Sequence, residues 1–218
     1  MITVSTDGSC LRNPGGAIGW AWANHDGTHA SGGSASGTNQ VAELRAVLEA
    51  VLAHPGDEPL RIEADSQYAI KCSSEWVHGW KRKGWRTASG GPVQNLALVQ
   101  AIDRAIAARS GPVAFAWVRG HRGDVFNERA DELAGIAARE ARDGLPTAPG
   151  LWAGEAAEPV ASALASAPAS APASVPVVAT AGRPARARRA QVATTQVLDL
   201  APDAPGAAGP AVVVDTLF

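Results

Sequence analysis

Apolar and polar residues alternate at the start of the chain, where Ile2 and Val4 are interleaved with Thr3 and Ser5. A period of two in β-branched residues predicts a half-buried strand, delivering Asp7 into a glycine turn at Gly8. Residues 17–24 (AIGWAWAN) alternate in the same way, with Trp20 and Trp22 sharing a face. His25-Asp26-Gly27-Thr28 reads as a hairpin turn, and the Gly/Ser-rich stretch 29–37 supplies the return strand despite its poor propensity. From Val41 to Ala53 the spacing becomes helical, through positions 41, 44, 47, 48 and 51, with Thr38 and Asn39 where the cap belongs. Glu43 then falls in the first turn, beside the apolar stripe. Leu60 to Asp65 is a second short strand that stops at an aspartate, and Ser66-Gln67 opens a helix behind it. Val93 to Ala108 is amphipathic through Leu96, Val99, Ile102 and Ile106, and Val113 to Val118 is a strand. Asn127 opens a last helix, Glu128 to Arg142, with an alanine-rich face.

Beyond Gly144 this patterning dissolves. Six of the seven tryptophans precede that point, and only Trp152 follows it. Repeated Ala, Ser and Pro (ASALASAPASAPASVP) cannot build a core, so a disordered tail is expected. The 218 residues therefore divide into a domain over 1–143 and an Ala/Pro/Ser-rich tail over 144–218. A net charge of −2 does not by itself announce a nucleic-acid partner. Cys10 and Cys72 form no zinc spacing and no disulfide framework, which fits a reducing, cytoplasmic setting. No basic and apolar leader is visible, and no run approaches the ~20 apolar residues of a membrane span, so no membrane partner is expected.

Candidate chemistry changes the picture in two places. Two strands end in aspartate, Asp7 and Asp65, and neighbouring strands would bring both side chains to one edge of the sheet. Like charges that close repel and raise one pKa, and a divalent cation removes the conflict. Glu43 and Asp131 complete a set of carboxylates without cysteine or paired histidine, which suits Mg²⁺ or Mn²⁺. His121 lies between glycines in the loop Arg119–Asp124, and an imidazole can move protons at neutral pH. Singly, each has a plainer structural role: an Asp-Gly turn, an acid complementing a helix dipole, an exposed loop histidine. The second place is 74–86, where Trp76, Trp80 and Trp85 interleave with Lys81, Arg82, Lys83 and Arg86, and only Glu75 opposes them. Cations clustered with aromatics suit a phosphate backbone.

Five segments in order, TDGSCLRNPG at 6–15, TNQVAELRAV at 38–47, ADSQYAI at 64–70, EWVHGWKRKGWRTASGGPVQN at 75–95 and VRGHRGDVFNERADELA at 118–134, resemble bacterial type 1 ribonuclease H. The resemblance implies a mixed five-stranded α/β sheet, its first three strands antiparallel, flanked by helices and carrying a basic protrusion. It implies a monomeric endonuclease that cuts the RNA strand of RNA–DNA hybrids with two Mg²⁺ ions (Mn²⁺ can substitute), leaving 5′-phosphate and 3′-hydroxyl ends. On the matching positions, Asp7, Glu43, Asp65 and Asp131 bind metal, and His121 assists proton transfer or product release. Cys10, Asn13, Asn39 and Gln67 line the substrate grooves, Arg12 and Thr38 touch phosphates, and residues 74–86 grip the hybrid. Short polar groups near the metals can read consecutive 2′-hydroxyls, while phosphate contacts carry little sequence information. Low sequence specificity follows. The short loop at 14–17 (PGGA) and the His121 loop (HRGDVFNE) depart from the family pattern. In the tail, Arg183–Arg189 forms a basic patch, and Gln196–Leu200 and Asp215–Phe218 loosely resemble sliding-clamp-binding peptides. Two other readings are a hybrid-binding module without catalysis and a different nuclease of the same fold. The complete carboxylate set opposes the first, and the tryptophan-rich protrusion opposes the second.

Overall fold

The computed structural model describes residues 1–152 and the backbone of 214–216. Its strands are β1 (Ile2–Cys10), β2 (Ile18–Asn24), β3 (His29–Ser34), β4 (Leu60–Ala64) and β5 (Val113–Trp117). These form the expected mixed sheet in the order β3-β2-β1-β4-β5, antiparallel from β3 to β1 and parallel from β1 to β5. A short β6 (Val214–Thr216) adds a parallel strand outside β5. The helices are α1 (Asn39–Ala53), α2 (Gln67–Ser74), α3 (Trp76–Arg82), α4 (Leu96–Ala108) and α5 (Val125–Arg142). The basic patch at 183–189, the 196–200 peptide, the Leu217-Phe218 end and most of the tail expected to be disordered from residue 144 lie outside the described residues, but its first part is corrected: residues 147–152 hold defined hydrogen bonds to β3 and α1. Among the described residues no helix is long and apolar enough to cross a membrane.

Strand alternation gives the sheet two unlike faces. Val4, Leu60, Ile62, Val113 and Phe115 point to one side and pack on Leu44, Val47 and Val51 of α1 and on Val99 and Ile102 of α4. This is the large aliphatic core. The other side presents small residues to α5, whose alanine face sits directly on the strands. A Cβ on Gly19 would run into the Ala134 carbonyl and the Ala138 amide, and one on Gly33 into the Ala137 carbonyl. Ala21 packs with Leu133 and Ala134 in the same layer. The alanines at 130, 134, 137 and 138 are thus the condition for close approach of helix to sheet.

Three local expectations are corrected. β1 does not stop at Asp7 but runs on through Gly8 to Cys10, paired with β2 throughout. Gly8 is the point where α1 touches the strand, since a Cβ there would collide with the backbone of Ala42 and Glu43. α1 begins at Asn39, capped by the Thr38 hydroxyl accepting from the Val41 amide, so Glu43 lies beyond the first turn. α5 begins at Val125 under an Asp124 cap, which leaves Asn127 inside the helix and buried.

Gly19→Ala should destabilise the protein by about 1–3 kcal/mol, the usual cost of forcing atoms into a packed layer. Gly79→Ala, whose new Cβ meets nothing within 4 Å in α3, should be neutral or slightly stabilising. Urea unfolding of the two variants checks the contrast; equal effects would mean that the packing of α5 on the sheet is not tight.

Candidate active site

Four elements, two strands and a helix from each face of the sheet, contribute a carboxylate each. β1 contributes Asp7, α1 contributes Glu43 across the bare Gly8, and the end of β4 contributes Asp65. One carboxylate oxygen from each of these three lies within 4.8 Å of the others. Asp131 of α5 stands beside them, near enough for its charge to act on Asp7, and its side chain is 45% exposed. Asp7 and Glu43 are buried. Desolvation raises the Asp7 carboxyl to about 8, and the nearby Asp65 and Asp131 charges add to the effect, against a hydrogen bond from the Gly8 amide. Glu43 is likewise pushed well up, first by burial and then by Asp7 and Asp65. Burial also raises Asp65, opposed by His121. Among the described residues no lysine or arginine pairs with these carboxyls, and an oxygen-only donor set of this kind fits a hard divalent cation.

The neighbours of the cluster are as specific as the cluster. Asn13 Oδ1 accepts from the Asn39 amide at 3.3 Å, and Asn39 Nδ2 donates to Glu43 Oε1 at 3.3 Å, so the loop after β1 is wired to a carboxylate. Asp65 is held from three sides. Trp117 Nε1 donates to its backbone carbonyl at 3.1 Å, the Asn127 side chain stands close enough to favour its charged form, and Gly120 leaves the space the carboxylate occupies. Asn127 is 2% exposed, and its Oδ1 has no protein donor among the described residues. His121 adopts a left-handed backbone (φ 53°), and its largely exposed ring has Nδ1 3.7 Å from Asp131 Oδ2. The imidazole therefore stands at the rim, next to the most accessible carboxylate.

The other residues singled out from the sequence take varied places. Cys10 is partly exposed, with Sγ donating to the Arg12 carbonyl at 3.3 Å, while Arg12 and Gln67 reach solvent. Thr38 is the α1 cap. Trp76 is 41% exposed, with Lys71 Nζ 6.0 Å from its ring centre. Trp80 tilts against it at 5.8 Å. Trp80 and Trp85, however, are half-buried against the main core, so only part of their surface is open. Lys81 is paired with Asp103 at 3.0 Å, and Arg82, Lys83 and Arg86 are exposed. Asn127 and Gly120 were not apparent from spacing. The available signal was a buried-type position for a polar residue four before Asp131, one helical turn away on the same face.

The RNase H family model matches residues 1–139. A ribonuclease H of Anaeromyxobacter dehalogenans (strain 2CP-C) is 46% identical over 144 residues, covering 62% of this chain and 78% of the relative. A ribonuclease H of Aromatoleum aromaticum is 45% identical over 137 residues, covering 62% of this chain and 88% of the relative. Among solved structures, LC9-RNase H1, a type 1 RNase H with the type 2 active-site motif, is similar with a TM-score of 0.55 and 31% identity. That match covers 68% of this chain and 75% of the other.

A carboxyl whose pKa is higher in the folded chain than in the unfolded one binds its proton more tightly when folded. The stability it contributes is full below the unfolded value, about 4, and is lost as pH rises toward the folded value. For Asp7 that window closes at about 8. In chelator-treated protein, the melting temperature of wild type should fall relative to Asp7→Asn between about pH 4 and pH 8. Parallel pH profiles of the two proteins would contradict the strained cluster.

Proposed function

The chain belongs to the RNase H family, and on that premise we propose that it is an endonuclease hydrolysing the RNA strand of RNA–DNA hybrids, leaving 5′-phosphate and 3′-hydroxyl ends. The observation that carries this reading is the convergence of Asp7, Glu43 and Asp65 within 4.8 Å, with Asp131 alongside. Asp7, Glu43, Asp65 and Asp131 would hold two Mg²⁺ ions, with Mn²⁺ able to replace them. Bound there, such a pair supplies activation of the attacking water and neutralisation of charge at the scissile phosphate. The chain's own groups do the rest. Asp7 and Glu43, buried and fixed, keep the cation positions constant, while the open Asp131 and the His121 rim leave a path for water and product. His121 moves a proton at its ring nitrogen on the Asp131 side.

Recognition of the hybrid falls to two surfaces. Asn13, Asn39 and Gln67, with main chain near Cys10, offer short polar groups for 2′-hydroxyls of the RNA strand. Arg12 and Thr38 add phosphate contacts. On the other side Trp76 supplies an exposed aromatic face, and Lys81, Arg82, Lys83 and Arg86 supply cations for the DNA strand, with Trp80 and Trp85 bracing them from the core. Contacts to backbone alone read little sequence, which supports low specificity.

End-labelled RNA–DNA hybrid, RNA duplex and DNA duplex, incubated with Mg²⁺, test the reading. Internal cutting of RNA in the hybrid alone is expected, abolished by Asp7→Asn with binding retained. Combined Arg82→Ala and Lys83→Ala should weaken hybrid binding evenly across sequences and lower the log–log salt slope by about 1 for each phosphate no longer neutralised. Tight binding without cutting by wild type would make the chain a binding module instead.

A further inference from the structure

The family match ends at residue 139. The chain nevertheless goes on making specific contacts as far as Trp152. After α5, Thr147 Oγ1 donates to the Gly33 carbonyl of β3 at 3.1 Å, and the Ala148 carbonyl lies where a Cβ on Gly32 would be. The segment so passes along the outer edge of the sheet, from the α5 face to the α1 face. There it meets Arg45 and Glu49, one turn apart on α1, buried and paired at 2.8 Å.

A buried ion pair is tolerable only when its remaining donors and acceptors are satisfied. Here backbone of the arriving segment satisfies them. Arg45 Nη2 donates to the carbonyls of Pro149 (3.2 Å) and Trp152 (2.7 Å). The Glu49 carboxylate accepts from the Leu151 and Trp152 amides. The Arg45 guanidinium is sandwiched between the rings of Trp20 and Trp152, 4.7 and 4.8 Å from their centres. Gly150 makes the turn possible, with φ +74° and the Glu49 and Arg45 side chains 2.5 and 2.7 Å from where its Cβ would stand. The Gly150 turn and the Trp152 ring fit this peptide to the site, and its backbone satisfies the ion pair.

We propose that Arg45, Glu49 and Trp20 form a peptide-recognition site whose occupant is the chain's own segment 147–152. That segment acts as a latch. It covers the edge of β3 at Gly32 and Gly33 and fastens α5, which carries Asp131, to α1, which carries Glu43. An uncovered edge strand is a template for unwanted pairing, and the latch interrupts it at these two residues. These contacts lie outside the carboxylate cleft, and the latch is independent of catalysis there.

Limited digestion of the full chain with thermolysin, read by mass spectrometry, tests the latch. The Gly150–Leu151 bond, whose Leu151 amide is held by Glu49, is cleavable only if the segment is undocked, so the resistant fragment of wild type should retain Trp152. Trp152→Ala should move trimming to Gly150 and lower the melting temperature by on the order of 5 °C. Gly150→Ala should act the same way, and Trp152→Phe, which keeps a ring over Arg45, should restore most of the loss. Trimming of wild type between Gly150 and Leu151, or a melting temperature indifferent to Trp152→Ala, would overturn the proposal.

Discussion

Repulsion among carboxylates is the constraint on which the molecule turns. Asp7, Glu43 and Asp65 share a space 4.8 Å across, two of them buried, and among the described residues none has a lysine or arginine beside it. Solvation would relieve that conflict, but the fold denies it by placing the acids between sheet and helices. The result is a pocket whose protonated form is favoured well above the normal carboxylate range, Asp7 reaching about 8. A site of this kind is poised to exchange protons for a cation of higher charge.

The rest of the architecture keeps the acids together. The thick aliphatic core on the α1 side fixes the strands, and the bare Gly8 lets Glu43 come over the top of β1. On the thin side, glycine and alanine let α5 lie close enough for Asp131 to reach Asp7 and for Asn127 to reach Asp65. Either face alone would supply only half of the set. The 147–152 segment joins the two around the free edge, burying an ion pair that its own backbone then satisfies.

Much of this was legible in the sequence. Alternation pointed to β1 and β2, helical spacing to α1 and α4, and the recurrence of acids at element ends to the cluster. Gly8 misled, because a glycine after an aspartate reads as a turn, whereas here it marks a close helix–strand approach that only tertiary structure reveals. Asn127 looked like a cap because it precedes charged helical residues; Asp124, three earlier, does that work. Aromatic interleaving at 74–86 suggested one binding surface, but Trp80 and Trp85 face two ways, and burial is not written in composition. The latch was hidden by averaging. Four residues, Pro149 to Trp152, hold a specific turn at the head of a long low-complexity stretch, and the composition of that stretch speaks only for the remainder.

In crystals of the full chain bound to a hybrid with a 2′-deoxy substitution at the scissile nucleotide and soaked in Mn²⁺, anomalous scattering should show two peaks about 4 Å apart, bracketed by Asp7, Glu43, Asp65 and Asp131. A substrate-filled cleft without anomalous density would contradict the metal-binding role of these carboxylates.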